Sequence, residues 1–481
     1  MRTRTSLLTP ALLFFAVVAI VMAASRKAGA ELAARPVVAG EELADAEIRG
    51  PSTFGGWRAL AWEELEGLDL KMGRYDVRVR ASAGYGVEAI ELPVCNTRGR
   101  VWLDGDAVDV PTRAPAVVRF PRDGAHDVVM EIHVSSYEHR IACGNPPRVG
   151  RVRSTREGLG VMTFASPHAL LGGGRATVFV PTGHDDTKPA ALLVGTYPWS
   201  CDIWTYAAYA ELLRVAEERD MLLLMPEGLC NLLYIAKAED EVMRAIGQVS
   251  RELAVDPRAV SIWGASMGGA GATTIGFHHP DRFATITSYF GDSQYDVSTY
   301  VRSLLPDDAT AHKVNALDIV DNARNVPVWL VHGEADHTSP IRQSILLYDA
   351  MKARGFDVRF DRIPGATHEG SLVARFLTDV AEKASTARVP AAPSRVTYWS
   401  VRPGDLGAYG VTIVRAHAEG DAYVDVELVG SAVVVHKATG VRTVTLARGA
   451  LGTSVRAGGA SPAIVLDAAA MGATARWANE D

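Results

Sequence analysis

The sequence predicts a three-part fold: a mostly parallel α/β sheet with helices on both faces, flanked by an N-terminal and a C-terminal all-β domain. Three observations predict it. Between residues 158 and 387, continuous apolar runs alternate with helical stretches, as in a sheet buried on both faces. Residues 51–157 instead carry short runs of alternating polar and apolar residues separated by turn signals. Residues 395–481 return to short strand-like runs after a Pro- and Ala-rich linker at 388–394.

The chain has 481 residues, which is long for one core and calls for several domains. Hydrophobic residues make up 48% and charged residues 22%, an ordinary globular composition. The net charge of −7 leaves no broad basic excess, so nucleic acid is not an expected partner.

Residues 1–30 have the layout of a secretory signal peptide. Arg2 and Arg4 precede an uninterrupted apolar run at 11–24, and Ala28 and Ala30 form a small-x-small cleavage pattern. Cleavage after Ala30 would release a secreted or periplasmic protein with no membrane contact. The run is short for a spanning helix, and a retained N-terminal tether is the competing reading. Cys95, Cys143, Cys201 and Cys230 suit an oxidising compartment. They fall into a pair in each of the first two regions, so disulfides Cys95–Cys143 and Cys201–Cys230 are expected, although four cysteines admit two other pairings. No spacing resembles a zinc site, and no metal or cofactor is expected.

Residues 31–50 are Ala- and Glu-rich and read as a poorly ordered or helical lead-in. Strands follow at 74–80, 87–92, 100–108 (around an Asp-Gly turn), 116–120 and 128–134. The texture of 51–157 resembles the jelly-roll domains attached to carbohydrate-active enzymes. Trp57, Trp62, Trp102 and Tyr137 are candidate sugar platforms there, with core packing the favoured role. Within 158–387, strands are expected at 176–181, 190–194, 221–225, 260–263, 284–289, 326–333 and 358–363, with helices at 206–219 and 239–253. The second helix sets Val242, Ala245, Ile246, Val249 and Leu253 on one face.

The chemistry centres on Gly264-Ala265-Ser266-Met267-Gly268. An apolar run at 260–263 precedes it and a small-residue helix follows, the strand–turn–helix context that a G-x-S-x-G nucleophile elbow requires. Ser266 would sit on a strained turn that leaves no room for side chains at 264 and 268. Gly269 and Gly271 would let the next helix approach the sheet and aim its N-terminus at the hydroxyl.

Gly264-Ala-Ser-Met-Gly-Gly269, with His279-Pro-Asp-Arg-Phe283 and Phe290-Gly291, resembles the esterase and prolyl-oligopeptidase-type branch of the α/β-hydrolase superfamily. The resemblance covers about half of the chain, from about residue 161 to 383. It implies a serine hydrolase whose nucleophile, acid and base follow in that order along the chain. Asp336, in the His332-Gly-Glu-Ala-Asp336 loop, is where such enzymes place the acid. His368, in Pro364-Gly-Ala-Thr-His368, follows the last strand, where they place the base. Glu334 and Asp292 are alternative acids, His337 lies on the wrong element for the base, and His278, His279 and His332 read as packing residues.

An acyl-transfer intermediate also needs donors for its oxyanion. The Met267 amide is the first. The second is expected from the loop after residue 194, where many relatives carry His-Gly and this chain has Gly195-Thr196-Tyr197-Pro198. Pro198 has no N–H, so the Thr196 or Tyr197 amide, with the Tyr197 hydroxyl as a further donor, is the expectation. The whole implies a secreted serine esterase acting on small or polymeric esters, including carbohydrate-linked ones and polyesters. A serine peptidase of the prolyl-oligopeptidase type, and a non-catalytic exported binding protein on the same scaffold, are the rivals.

Overall fold

The computed structural model describes residues 35–95, 98–110, 115–134, 141–155, 157–169, 173–199, 203–295, 304–430, 432–447, 449–452 and 464–467. The proposed signal segment and Tyr137 lie outside them.

An eight-stranded sheet forms the centre. Its strands are β1 (Gly158–Ala165), β2 (Gly173–Val180), β3 (Ala190–Thr196), β4 (Leu222–Pro226), β5 (Val255–Ala265), β6 (Ile286–Tyr289), β7 (Val328–Gly333) and β8 (Val358–Ile363). They lie in the order β1-β2-β4-β3-β5-β6-β7-β8. The β1–β2 and β2–β4 pairs are antiparallel and the remaining pairs parallel. The apolar runs become β3, β4 and β7, each buried along its whole length because helices cover both faces.

The helices are α1 (Ala210–Glu218), α2 (Lys237–Glu252), α3 (Met267–His278), α4 (Asp308–His312), α5 (Arg342–Ala353) and α6 (Gly370–Thr386). The stripe expected on α2 is buried at Val242, Ala245, Ile246 and Val249. The helix expected at 206–219 is broken. A 3₁₀ turn (Thr205–Ala208) precedes α1, and Tyr209 between them is extended. All of α3 is buried, which its run of Gly, Ala and Thr permits by keeping the helix thin.

On the N-terminal side, two antiparallel sheets enclose a core that includes Ile48, Tyr75, Val77, Ile90, Met130 and Ile132. The lead-in expectation fails: Arg35–Glu42 and Asp45–Arg49 are strands of this sandwich. Arg35–Glu42 pairs with Arg148–Thr155, so a partner more than a hundred residues away overrides a composition that reads as helical. Trp62 is core, its indole N–H donating to the Gly144 carbonyl at 3.2 Å. Trp102 is half-buried. Trp57 lies against the guanidinium groups of Arg49 and Arg78, 4.5 and 4.2 Å from its centroid. Cys95 and Cys143 are bonded to each other. Cys230 is also disulfide-bonded, and its expected partner Cys201 lies outside the described residues.

On the C-terminal side, a three-stranded and a four-stranded sheet pack around Val396, Tyr398, Ile413, Val424 and Val444. This unit is fastened to the end of α3. The Tyr398 hydroxyl donates to the His278 carbonyl at 3.0 Å and the Tyr409 hydroxyl to the Pro280 carbonyl at 2.7 Å. Among the described residues no helix is long and apolar enough to cross a membrane.

Candidate active site

Ser266 stands between β5 and α3 at φ 55°, ψ −122°. A β-carbon makes such positive-φ backbone costly, by roughly 1–3 kcal/mol, and packing on both sides holds it. The Ser266 amide donates to the Tyr289 carbonyl of β6 at 2.9 Å. On the other side the end of β3 presses on the turn. A β-carbon at Gly268 would lie 1.8 Å from the Thr196 carbonyl oxygen, and one at Gly264 2.3 Å from the Thr196 hydroxyl. Both glycines are therefore required by contact.

The three residues predicted from chain order come together. The Ser266 hydroxyl is 2.8 Å from His368 Nε2, and His368 Nδ1 is 2.8 Å from Asp336 Oδ2. The other Asp336 oxygen accepts the amides of Thr338 at 2.9 Å and Ser339 at 3.0 Å. Burial by itself would raise the Asp336 pKa, but hydrogen bonds from His332 and His368 and from the Ser339 amide outweigh it and hold the carboxyl well below its usual range. An ionised Asp336 fixes His368 with its proton on Nδ1, leaving Nε2 to accept the serine proton. The Phe290 ring stacks at a tilt on the imidazole, 4.6 Å between centroids.

The competing residues are engaged elsewhere. Glu334 pairs with Arg362 at 2.9 Å, and Asp292 accepts the Ser339 hydroxyl at 2.6 Å. His278 and His279 contact the Glu239 carboxylate at 3.0 and 2.8 Å. His332 does more than the packing its position in a strand suggested. Wholly buried, it stands 3.4 Å from Asp336 Oδ2 and 2.8 Å from the Ser339 carbonyl, bracing the acid loop from below. Its spacing four residues before Asp336 was the available signal.

The oxyanion side requires a correction. Met267 is the first residue of α3, so its amide has no acceptor within the helix and lies at the helix's positive end. The donors expected from Thr196 and Tyr197 are committed inside the protein. Thr196 is buried in register with Gly264, and its one hydroxyl proton is shared between the carbonyls of Trp263 at 2.9 Å and Gly268 at 2.7 Å. The Tyr197 amide donates to the Tyr234 hydroxyl at 2.9 Å, and the Tyr197 hydroxyl donates to the Glu227 carbonyl. The physical reason is that the Tyr197 ring turns into the core against Tyr234, 5.7 Å between centroids, and its polar ends must find partners there.

Residues 236–384, which carry all three residues of the hydrogen-bonded chain, match the prolyl oligopeptidase family. None of the curated proteins matches the chain. Similar solved structures include an S-formylglutathione hydrolase from Agrobacterium tumefaciens, 20% identical over 48% of this chain and 95% of its own, with a TM-score of 0.42. A ferulic acid esterase is 19% identical over 47% of this chain and 97% of its own, with a TM-score of 0.41. Porphyromonas gingivalis dipeptidyl peptidase 4 is 14% identical over 48% of this chain and 35% of its own, with a TM-score of 0.40.

Proposed function

We propose that this serine hydrolase is an exported carboxylic ester hydrolase that works through an acyl-enzyme, on esters borne by plant polysaccharides or on polyesters. The observation that carries the chemistry is the unbroken chain from Ser266 through His368 to Asp336, with the Met267 amide beside the nucleophile. Ser266 attacks the carbonyl carbon as its proton passes to His368 Nε2. The Met267 N–H faces the negative oxygen that forms, and His368 returns the proton to the leaving alkoxide. Water then repeats the sequence on the acyl-enzyme and releases the acid.

Ester cleavage is favoured by the company the core keeps. A small two-sheet sandwich precedes it, where the prolyl oligopeptidases it resembles have a propeller gate. The family match over 236–384 favours the second reading, a peptidase. Export is supported by the residue 1–30 pattern and fits the Cys95–Cys143 bond. N-terminal sequencing of the mature protein tests the cut after Ala30.

The function is tested with p-nitrophenyl esters from acetate to octanoate and a feruloyl ester, on wild type and Ser266→Ala. Turnover lost in the variant supports the ester reading, and the chain-length profile sizes the acyl pocket. Labelling by a fluorophosphonate without ester turnover would move the assignment to peptides.

A further inference from the structure

The most unusual feature around the nucleophile lies beneath it. Strands β3 and β5 pair in parallel as far as Thr196 and Gly264. One more rung would bring the Thr196 carbonyl to the Ala265 amide. Instead the Tyr206 hydroxyl stands between them, donating to Thr196 O at 2.9 Å and accepting from Ala265 N at 3.0 Å. Thr196 ends β3, and Ala265 immediately precedes Ser266. A single phenolic oxygen therefore sets the gap between the end of β3 and the turn that carries Ser266.

The surroundings hold that oxygen in place. Tyr206 is 1% exposed and lies on the Trp263 indole, 4.1 Å between centroids. Gly195 makes room for its ring: a β-carbon there would come 2.9 Å from Tyr206 Cδ2. Burial keeps the phenol protonated by pushing its pKa well above the usual value, so it remains a donor at working pH. The Thr196 and Tyr234 hydroxyls join the same region, the first tying β3 to Trp263 and Gly268 and the second taking the Tyr197 amide.

We propose that Tyr206 is a positioning residue for acyl transfer, its hydroxyl acting as a spacer that fixes the Ser266 elbow, and with it the Met267 amide, against the end of β3. It touches no substrate. Without it, the strands close toward a direct rung or leave two buried groups unpaired, and either outcome shifts the Ser266 hydroxyl and the Met267 amide. The inference rests on the serine-hydrolase reading but not on the choice of ester over peptide.

The test is Tyr206→Phe, which keeps the ring and removes only the oxygen. The primary readout is the rate of fluorophosphonate labelling of Ser266, which needs an activated serine and an aligned oxyanion site whatever the natural substrate. A drop of about 10- to 100-fold is expected, the scale of a small misplacement at a reacting centre. For p-nitrophenyl acetate, kcat should fall by the same factor with KM nearly unchanged. Affinity for phenylboronic acid, whose serine adduct is tetrahedral, should fall in parallel with kcat. Labelling at the wild-type rate overturns the proposal, and so does a loss that merely tracks the folded fraction in near-UV circular dichroism. If Tyr206→Phe does not fold, Gly195→Ala carries the test. It retains the hydroxyl but displaces the ring, and the same selective loss is expected, with wild-type labelling again overturning the idea. A wild-type protein that the probe does not label sinks the serine-hydrolase reading itself, and is recognised by that control.

Discussion

Arg402, just beyond the first C-terminal strand, forms a two-pronged ion pair with Glu239 in the first turn of α2, at 2.7 and 2.9 Å. The same carboxylate takes His278 and His279 from the end of the helix that begins at the nucleophile, and Arg402 also pairs with Asp405 at 2.8 Å. The C-terminal sheets are thereby locked to the elbow helix through a buried charge.

Removing one partner of such a network leaves the other buried and under-paired. Arg402→Ala should lower unfolding stability by about 3 kcal/mol, the lower end of the range for buried pairs, because His278 and His279 stay in place. Urea denaturation checks this. The double variant Arg402→Ala/Glu239→Gln should recover part of the loss, since Glu239 is then no longer a stranded carboxylate. A double variant no better than the single would show that the cost is lost packing instead.

Asp336→Asn should reduce kcat by about 10⁴-fold, because the amide no longer selects the His368 tautomer that accepts from Ser266. Glu334→Gln should be nearly silent, since Glu334 faces Arg362. Asp292→Asn should fall in between: its link through the Ser339 hydroxyl adjoins the amide that holds Asp336. Steady-state kinetics on one p-nitrophenyl ester ranks the three. An Asp292 variant as damaged as the Asp336 variant would move the acid.

Stability should decline from mildly acidic toward neutral pH through two carboxyls. Burial raises Glu66 and Glu241 from 4.5 to about 7. Both folded-state values lie above the unfolded one, so the contribution is fully present below pH 4.5 and is lost as pH rises toward 7. Asp336 and Glu239 act in the opposite sense. Their lowered values give stability above the ordinary carboxyl range that is lost as pH falls. Glu66→Gln should flatten the decline seen in thermal melts between pH 5 and 7.5, and an unchanged slope would count against a buried Glu66 proton.

The triad was legible because its constraints are short-range. Ser266 is announced by its own glycines, and Asp336 and His368 each follow an apolar strand in an order that the fold imposes. The oxyanion loop was misread because Thr196 and Tyr197 answer to Tyr206 and Tyr234, hydroxyls ten and 37 residues further along the chain that nothing local connects to them. The strands at 35–49 were hidden for the same reason, since Arg35–Glu42 finds its partner at Arg148–Thr155. Glycine spacing and strand–turn–helix order are written locally, whereas the far partner of a hydroxyl or an edge strand is settled only in the fold.

His312 offers a last test of how the C-terminal sheets meet the core. Its ring lies between two carboxylates, with Nδ1 3.1 Å from Asp318 and Nε2 2.9 Å from Asp421. Asp421 belongs to the C-terminal unit and also accepts the Trp399 indole N–H at 3.0 Å. Both nitrogens face acceptors, so both donate only when the ring is charged. Burial alone would lower its pKa, but hydrogen bonds from the ring to Asp421 and Asp318 outweigh this and hold it above the usual 6.5. The sign follows from a raised folded-state value: the clasp contributes fully below pH 6.5 and is lost as pH rises through the raised pKa. Amide hydrogen exchange in residues 307–318 should therefore accelerate above neutrality by more than its intrinsic base dependence. In His312→Asn, which cannot carry the charge, that excess should vanish. An excess that persists in the variant would place the titrating group elsewhere.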